Sequence, residues 1–224
     1  MKRSILFDTE TTGFDPLDGD RVIEIAALEL IGDLPTGESF HVLIDPERDI
    51  PPEATKVHGF TAEDLRGKPK FSSIAQGFLD FVGEDELIAH NAPFDFGFMN
   101  AELERSGFPV LAKERMVDTL TMAREMFPGM PNSLDALCRR FSIDLSERTT
   151  HNALLDCKLL AEVYIELLGG RQHGLGLGAA DDALPGVQYA APEERRRLRV
   201  VPSSVELEAH KTFVGKMSEP VWDM

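Results

Sequence analysis

Hydrophobic and polar residues follow two different periods along the first 170 residues of the chain. Short apolar runs predict strands at residues 4–8, 21–31, 38–45 and 86–90, with GDLPTG as the turn between the second and third, and MVDT predicts one more. Helical spacing of apolar residues predicts helices in FSSIAQGFLDFV, NAPFDFGFMNAELERSG, LTMAREMF, SLDALCRRF and HNALLDCKLLAEVYIELL. A mixed central sheet flanked by helices places this region in the α/β class.

Proline and glycine positions, together with changes in composition, predict that the chain has three segments. A proline-rich loop is expected before Thr61, where TAEDL carries a helix-start signal. The periodic pattern ends at Gly169–Gly170, which bounds a domain of residues 1–170. Residues 171–192 have the Gly- and Ala-rich composition of a flexible linker, and residues 193–224 resume charge and helical spacing. That last segment is too short to fold alone and is expected to be a docking tail that orders on a partner.

Length and composition indicate how large a core the protein can bury, whether it contacts a membrane and whether its cysteines are reduced. With 224 residues, 42% of them hydrophobic, the chain can bury one sizeable core. It contains no run of eighteen apolar residues and no apolar stretch with a cleavage site near its start, so we expect a soluble, cytoplasmic protein with no membrane contact. The two cysteines, Cys138 and Cys157, lack CxxC spacing and lie among apolar residues, which favours buried reduced thiols over a zinc site or a disulfide.

The formal net charge of -16 argues against a protein that grips a long nucleic acid duplex, because such proteins usually carry a basic surface. It argues less against an enzyme that holds only a few nucleotides. Such a site can meet phosphates through bound divalent cations, and those cations themselves require carboxylates.

Four acidic residues stand where a buried chain normally avoids charge. Asp8 and Glu10 are two residues apart at a strand end, so their side chains leave the same face of the sheet and can share an ion. Asp95, in HNAPFDFGFM, and Asp156, in HNALLDCKLL, both lie on apolar helices. Taken singly, each of the four also fits an ordinary helix cap or strand end, but together they favour a functional cluster.

The cluster needs positive charge, because an unpaired buried carboxylate is costly. No Lys or Arg occurs in residues 4–20 or 86–104, and only Lys158 directly follows Asp156. Divalent cations are the simplest compensation, and oxygen ligands favour Mg²⁺ or Mn²⁺ over zinc. Two such ions can stabilise both the attacking and the leaving oxygen in phosphoryl transfer. His151, five residues before Asp156, can take a proton from water near neutral pH, although a surface histidine at a helix start is the plainer alternative.

Three motifs carry a family resemblance. FDTETTG, HNAPFD and HNALLD resemble the three motifs of the DEDDh exonucleases, the DnaQ-like branch of the ribonuclease-H-like 3′–5′ exonucleases. Within that branch, VHG at 57–59 and FPGMPNSLDALCRRF at 127–141 are similar to the proofreading epsilon subunits of bacterial DNA polymerase III. The resemblance covers residues 4–170 and implies the ribonuclease-H-like exonuclease fold.

The resemblance implies a two-metal hydrolysis with Mg²⁺ or Mn²⁺. Asp8, Glu10 and Asp156 would ligate the metals, with Asp8 bridging both, and Asp95 would help to hold the second ion. His151 would be the general base, and the products would be nucleoside 5′-monophosphates released from a DNA 3′ end. The substrate site implied in this way comprises Asp8, Glu10, Phe14, Glu53, His58 and Asp156. A solvated loop acid is the alternative for Glu53, a structural histidine for His58, and a plain aromatic for Phe14.

Partners are implied for the part of the chain after the exonuclease domain. In RQHGLGL, the residues Gln172, Leu175 and Leu177 resemble a weak form of the peptide that binds the sliding clamp, although the usual bulky aromatic is missing and a simple linker is the alternative. The segment LRVVPSSVELEAHKTFVGKM resembles the epsilon region that docks on the catalytic alpha subunit of DNA polymerase III. The theta subunit is a further candidate partner.

Two other functions fit parts of the sequence. RNA-trimming exonucleases such as ribonuclease T and oligoribonuclease use the same four acids and histidine, but they generally end near the last catalytic helix, whereas this chain continues into a linker and tail. A non-catalytic scaffold would need none of the five residues.

Overall fold

The computed structural model describes residues 1–148, 150–170 and 202–217. These fall into two units, one within residues 1–176 and one within residues 177–224. The expected linker, and with it the clamp-peptide residues Gln172, Leu175 and Leu177, lies outside the described residues.

A five-stranded mixed sheet forms the centre of the first unit, as the sequence predicts. Its strands are β1 (Arg3–Thr11), β2 (Val22–Ile31), β3 (Leu34–Leu43), β4 (Glu86–Ala89) and β5 (Met116–Asp118). The order across the sheet is β3-β2-β1-β4-β5. The first three strands are antiparallel, while β4 runs parallel to β1 and β5 runs parallel to β4. Strand β1 is therefore central.

Helices follow the strands on both faces of the sheet. In the first unit they are α1 (Pro52–His58), α2 (Ala62–Leu65), α3 (Phe71–Val82), α4 (Ala92–Arg105), α5 (Thr119–Met126), α6 (Leu134–Phe141) and α7 (Ala153–Leu167). Short 3₁₀ turns occupy Pro16–Asp18 and Lys113–Arg115. The helix start expected at Thr61 is confirmed, because Thr61 and Asp64 form a reciprocal capping box at α2.

Two boundaries differ from the sequence prediction around the first hairpin. Strand β1 continues to Thr11, so Asp8 and Glu10 lie inside the strand and not at its end. The turn between β2 and β3 is only Gly32–Asp33, with Ile31 paired to Leu34, and the rest of GDLPTG belongs to β3. Both turn residues have positive φ, 59° and 66°, which is typical of the tight type I′ hairpin and leaves no room for a longer loop.

Helix α1 was not expected, since the sequence prediction places a loop there. Pro52 is the first helical residue, where its missing N–H costs nothing and its fixed φ suits the helix. Gly59, with φ of 83°, ends the helix and donates to the Thr55 carbonyl. Glu53 and His58 therefore project from a short helix, which gives both a fixed position.

Two apolar clusters cover opposite faces of the sheet because successive strand residues point to opposite sides. Ile5 and Phe7 of β1 pack with residues of α3 and α4. Leu6, between them, packs with residues of α6 and α7. By the same alternation Thr9 belongs to the α4 side, whereas Asp8 and Glu10 belong to the α7 side.

Cys138 and Cys157 are buried and unpaired, which confirms the prediction of free thiols. Cys157 donates to the Ala26 carbonyl at 3.4 Å, so this thiol contributes to packing. Among the described residues, no helix has the length and apolar character needed to span a membrane.

The second unit contains the helix α8 (Ser204–Val214), within the segment predicted to be a docking tail. Its start is a capping box in which the Ser203 hydroxyl accepts from the Glu206 N–H, while the Glu206 carboxylate accepts from the Ser203 N–H at 2.8 Å. Phe213 is 60% exposed on this helix.

Replacing Phe78 with Ala should lower the free energy of unfolding by roughly 3–5 kcal/mol. Its side chain is fully buried, and its ring centroid lies 5.8 Å from that of Phe40 and 6.4 Å from that of Phe7. Urea unfolding followed by circular dichroism measures the change. Phe213→Ala, at an exposed position, is the matched control and should change stability by less than about 0.5 kcal/mol. Equal losses in both variants would contradict the assigned core.

Candidate active site

The first pair of carboxylates is held by β1. Asp8 is half-buried and Glu10 is 7% exposed, and both lie on the α7 side of the sheet. Glu10 stands opposite Glu24 of β2 in the antiparallel register. The strand thus presents its acids at fixed positions next to the start of α7.

Asp95 reaches the same region from α4. Its Oδ1 accepts from the Thr9 backbone N–H at 3.1 Å and from the Thr9 hydroxyl at 2.7 Å. The start of α4 is fixed in turn by Asp118 of β5, whose Oδ1 accepts from the N–H groups of Asn91 and Ala92 at 3.0 and 3.2 Å. These contacts fix the second motif to β1 through a residue of the first motif.

Helix α7 is placed by Glu24, a residue that the sequence analysis missed. Asn152 caps the helix by accepting from the Leu155 N–H at 3.1 Å. The fully buried Glu24 carboxylate accepts from the Asn152 side chain at 2.9 Å and from the Ala153 N–H at 3.1 Å. His41 lies 2.7 Å from the same carboxylate. An acid inside the apolar strand segment VIEIAAL was the signal that could have identified it.

All eight side chains predicted for the site line one cleft with a volume of about 560 Å³. They are Asp8, Glu10, Phe14, Glu53, His58, Asp95, His151 and Asp156. Within the described residues, the ligand atoms of Glu10, His151 and Asp156 lie within 4.8 Å of one another, a spacing that could hold a metal ion. His151 was predicted as a general base only, whereas its position also allows it to be a metal ligand.

The electrostatics of the cleft are dominated by its acids. Burial, followed by the charges of Asp95 and Glu10, raises the pKa of Asp8 well above its ordinary value. Burial and the charge of Asp156 raise the pKa of Glu10 to about 8. Burial also raises the pKa of Asp95 to about 7, although the hydrogen bonds from Thr9 oppose the shift. Without added positive charge, this cleft therefore retains protons near neutral pH.

This donor set fits a divalent cation. Carboxylate oxygens are the ligands that hard cations prefer, and a cation would favour the ionised forms that burial now opposes. Asp8, Glu10 and Asp156 supply such oxygens from β1 and from the first turn of α7.

Two of the histidines that line the cleft, His58 and His151, have lowered pKa values. Burial and the charge of Arg148 lower the pKa of His151, whose side chain is 50% exposed and whose Nδ1 lies 3.7 Å from Asp156 Oδ2. The His151 N–H donates to the Val57 carbonyl at 3.0 Å, which links this loop to α1. Burial also lowers the pKa of His58, whose Nδ1 accepts from the Phe60 N–H at 3.0 Å. His58 Nε2 is buried and has no hydrogen-bond partner among the described residues, so it is available to a ligand.

Arg148 is a protein cation that the sequence pattern did not single out as a partner of these acids. Its Nε and Nη2 donate to the two oxygens of Asp156 at 2.6 and 2.7 Å, and its side chain is only 9% exposed. Lys158, the cation nearest to Asp156 in sequence, is exposed. Cations adjacent to the acids in the chain do not reveal this contact, because the loop before α7 folds back to bring in an arginine that lies eight residues away.

Comparison with known proteins decides the family. A family model described as "Exonuclease" matches residues 5–164. The chain belongs to this exonuclease family. The exonuclease is 45% identical over 221 residues to a Rickettsia conorii protein named DNA polymerase III subunit epsilon, covering 96% of each chain. It is 45% identical over 183 residues to the Escherichia coli protein of the same name, covering 76% of this chain and 73% of that protein.

A solved structure supports the fold as well as the family. The structure titled "Exonuclease X in complex with 5' overhanging duplex DNA" matches the exonuclease with a TM-score of 0.58 and 26% identity, over 75% of this chain and 92% of that one. The predicted ribonuclease-H-like exonuclease fold and the resemblance to DnaQ-like epsilon exonucleases are thus confirmed. An enzyme is confirmed over a non-catalytic scaffold.

In EDTA, the stability of the exonuclease should fall as the pH rises from about 5 to about 8. Glu10 releases its proton near pH 4.5 when unfolded and near pH 8 when folded, so between these values the folded state holds the extra proton. Raising the pH then favours unfolding, by about 1.4 kcal/mol per pH unit for one such carboxyl. Asp95, with its pKa raised to about 7, acts in the same direction.

Urea unfolding at pH 5, 6.5 and 8 measures this slope. Glu10→Gln should reduce the slope, while Glu84→Gln, which replaces an exposed acid outside the cleft, should leave it unchanged. Saturating Mn²⁺ should reverse it, because a bound cation stabilises the ionised carboxylates. Stability that rises with pH in EDTA would contradict the raised pKa values.

Proposed function

We propose that this exonuclease is the proofreading subunit of a bacterial replicative DNA polymerase, removing nucleotides from DNA 3′ ends as 5′-monophosphates. The similarity to proteins named DNA polymerase III subunit epsilon, which extends over 96% of the chain, carries the proposal. The acidic cleft supports it, because it brings together the side chains that such a hydrolysis requires. The activity belongs in the cytoplasm, with the chromosome.

Two Mg²⁺ or Mn²⁺ ions are the proposed cofactors, held by Asp8, Glu10 and Asp156 with the help of Asp95. When bound, they supply the positive charge that stabilises the attacking and leaving oxygens of phosphoryl transfer. The protein contributes rigid placement: Asp8 and Glu10 are fixed by the sheet, Asp95 by Thr9, and Asp156 by the start of α7. Preorganised ligands of this kind need not rearrange during the reaction.

His151 is the proposed general base. Arginine can only donate, so the contact of Arg148 Nη2 with His151 Nδ1 at 3.3 Å leaves the lone pair of the imidazole on Nδ1. This nitrogen can accept the proton of the attacking water once the Arg148 contact is released, because a single lone pair cannot accept from both groups at the same time. The lowered pKa of His151 keeps the ring neutral and able to accept at neutral pH, and Asp156, 3.7 Å away, stabilises the imidazolium that results.

The proposed substrate contacts surround a single terminal nucleotide, which suits a cleft of about 560 Å³. Phe14 is 85% exposed at the cleft, as required of a ring that stacks on a base. Glu53 and His58, on consecutive turns of α1, are placed to hydrogen-bond the sugar. The unpartnered Nε2 of His58 gains a partner when the nucleotide binds. Preference for mispaired ends follows because a frayed terminus enters such a site more readily than a paired one.

The tail supplies the proposed link to the polymerase. Helix α8 exposes Val205, Leu207 and Phe213, which are the apolar side chains that a partner would cover. We assign this helix to docking on the catalytic alpha subunit. The clamp-binding role of Gln172, Leu175 and Leu177 and a contact with theta remain further proposals. Tethering also accounts for the net charge of -16, since the polymerase would supply most of the grip on DNA.

Digestion of a 3′-mispaired DNA primer and a matched single-stranded RNA tests the activity. With Mg²⁺ or Mn²⁺, the protein should release deoxynucleoside 5′-monophosphates from the DNA and degrade RNA much more slowly, and EDTA should stop both reactions. The double variant Asp8→Ala and Glu10→Ala should lose roughly a thousandfold or more in rate, because metal charge stabilisation is worth several kcal/mol.

The matched control for this loss is Asp80→Ala with Glu84→Ala, which removes two exposed acids outside the cleft. It should retain full activity, and thermal melting should show both double variants folded. Preference for RNA would assign the protein to the RNA-trimming exonucleases, and unchanged activity in the first double variant would exclude the metal assignment.

A chain ended at Gly170 should digest single-stranded DNA normally but fail to co-elute with the polymerase catalytic subunit in gel filtration. Phe213→Asp in the full chain should weaken co-elution in the same way, because it places a charge on the proposed docking face. Lys216→Ala, nearby but outside the helix, is the control and should still co-elute. Retained binding by the shortened chain would refute the docking role.

A further inference from the structure

Arg148 makes an unusually complete contact with one proposed metal ligand. Its Nε donates to Asp156 Oδ1 at 2.6 Å and its Nη2 donates to Asp156 Oδ2 at 2.7 Å, so the fork of the guanidinium engages both oxygens. The two side chains are 9% and 6% exposed. The pair is therefore largely shielded from water, and each partner neutralises the other.

This contact conflicts with the role proposed for Asp156. A divalent cation next to the same carboxylate would lie close to a guanidinium that cannot release its proton, and the two positive charges would repel each other in a partly buried site. Asp156 cannot serve both partners fully at the same time. Among the described residues, Glu10 and His151 are the other members of the compact ligand group, and Arg148 also reaches His151.

A second carboxylate gives Arg148 an alternative position. Its Nη1 donates to Asp135 Oδ1 at 2.6 Å, and Asp135 lies in the first turn of α6 with a side chain that is 38% exposed. Asp135 is not part of the lining of the main cleft, but it lines a smaller adjoining pocket together with Arg148, His151 and Asp156. Arg148 can thus release Asp156 and remain paired with Asp135, which approaches it from α6.

We propose that Arg148 and a divalent cation exchange places on Asp156. In the metal-free protein the guanidinium neutralises the carboxylate and stabilises the start of α7. When a cation binds, Arg148 releases Asp156 and is retained by Asp135. The inference rests on the proposed function in one respect, which is that Asp156 is a metal ligand. The exchange has two consequences. The site needs a higher metal concentration for occupancy than its carboxylates alone would require, and the protein stays folded without metal.

Titration calorimetry with Mn²⁺ and melting in EDTA or saturating Mn²⁺ test the exchange in the full chain. Arg148→Met should bind Mn²⁺ roughly ten- to a hundredfold more tightly, the ratio expected when a competing hydrogen-bonded charge is removed. Its melting temperature should fall by roughly 3–10 °C in EDTA and change little in saturating Mn²⁺. Arg148→Lys keeps the charge but not the forked guanidinium, so it should show an intermediate Mn²⁺ affinity and a smaller fall in melting temperature in EDTA. It replaces the Met variant in these measurements if that variant does not fold.

Arg139→Met is the matched control. Arg139 lies 3.8 Å from Asp135 with a side chain that is 73% exposed, so the same charge is removed nearby without touching Asp156. It should change Mn²⁺ affinity by less than about threefold, since an exposed charge is well screened. If Mn²⁺ affinity increased equally in the Arg139 and Arg148 variants, the effect would be one of general electrostatics, and the proposed exchange would be wrong.

Two further results would overturn the inference in distinguishable ways. If Arg148→Met melted lower by the same amount in EDTA and in Mn²⁺, Arg148 would remain on Asp156 in the metal-loaded protein, and the exonuclease activity proposed above would stand. If the unchanged protein bound no Mn²⁺ and digested no DNA, the metal site and the exchange would both be excluded. An increase in Mn²⁺ affinity that occurs only in the Arg148 variants would support the exchange.

Discussion

Repulsion among buried carboxylates is the constraint on which the rest of this structure depends. Asp8, Glu10 and Asp95 meet in one cleft where burial raises the pKa of each, and the charges of neighbouring cleft acids add to the shift at Asp8 and Glu10. A chain does not collapse into such an arrangement to gain stability, since isolated buried charge opposes folding. The fold tolerates it because the surrounding apolar layers are extensive and because Arg148 supplies one local positive charge. The strain at the cleft is therefore maintained by packing elsewhere.

Strand alternation explains how one short segment gathers acids from three parts of the chain. Thr9 points to the α4 side and fixes Asp95, whereas its neighbours Asp8 and Glu10 point to the α7 side, where Asp156 lies. A one-residue shift in the register of β1 would exchange these faces and separate the cluster. The antiparallel pairing with β2 prevents that shift and also delivers Glu24 to the start of α7. Sheet register and site geometry are thus the same constraint.

Much of this could be predicted from sequence because periodicity and motifs report local preferences. The sheet strands, α3, α4 and α7, the free cysteines and the convergence of the motif residues on one cleft all follow from such patterns. The features that were not predicted are mostly contacts between parts of the chain that are distant in sequence or joined by a loop. Arg148 reaches Asp156 through a loop that has no periodicity, and Glu24 meets Asn152 across 128 positions. Helix α1 was missed because prolines indicate loops on average, although Pro52 at the first helical position favours a helix.

The acidic character of the protein is consistent with acting on a polyanion only if contact is confined to the chain end. A basic surface would bind primer DNA everywhere, and on a polymerase it would compete with the polymerase for paired primer. A cleft that met one nucleotide through cations held by carboxylates, as proposed, would need no such surface. On the proposed function, the charge of -16 would disfavour close approach of duplex around the cleft and so favour entry of a frayed terminus. In this function, a low intrinsic affinity for DNA would contribute to selectivity, because it would leave correctly paired ends with the polymerase.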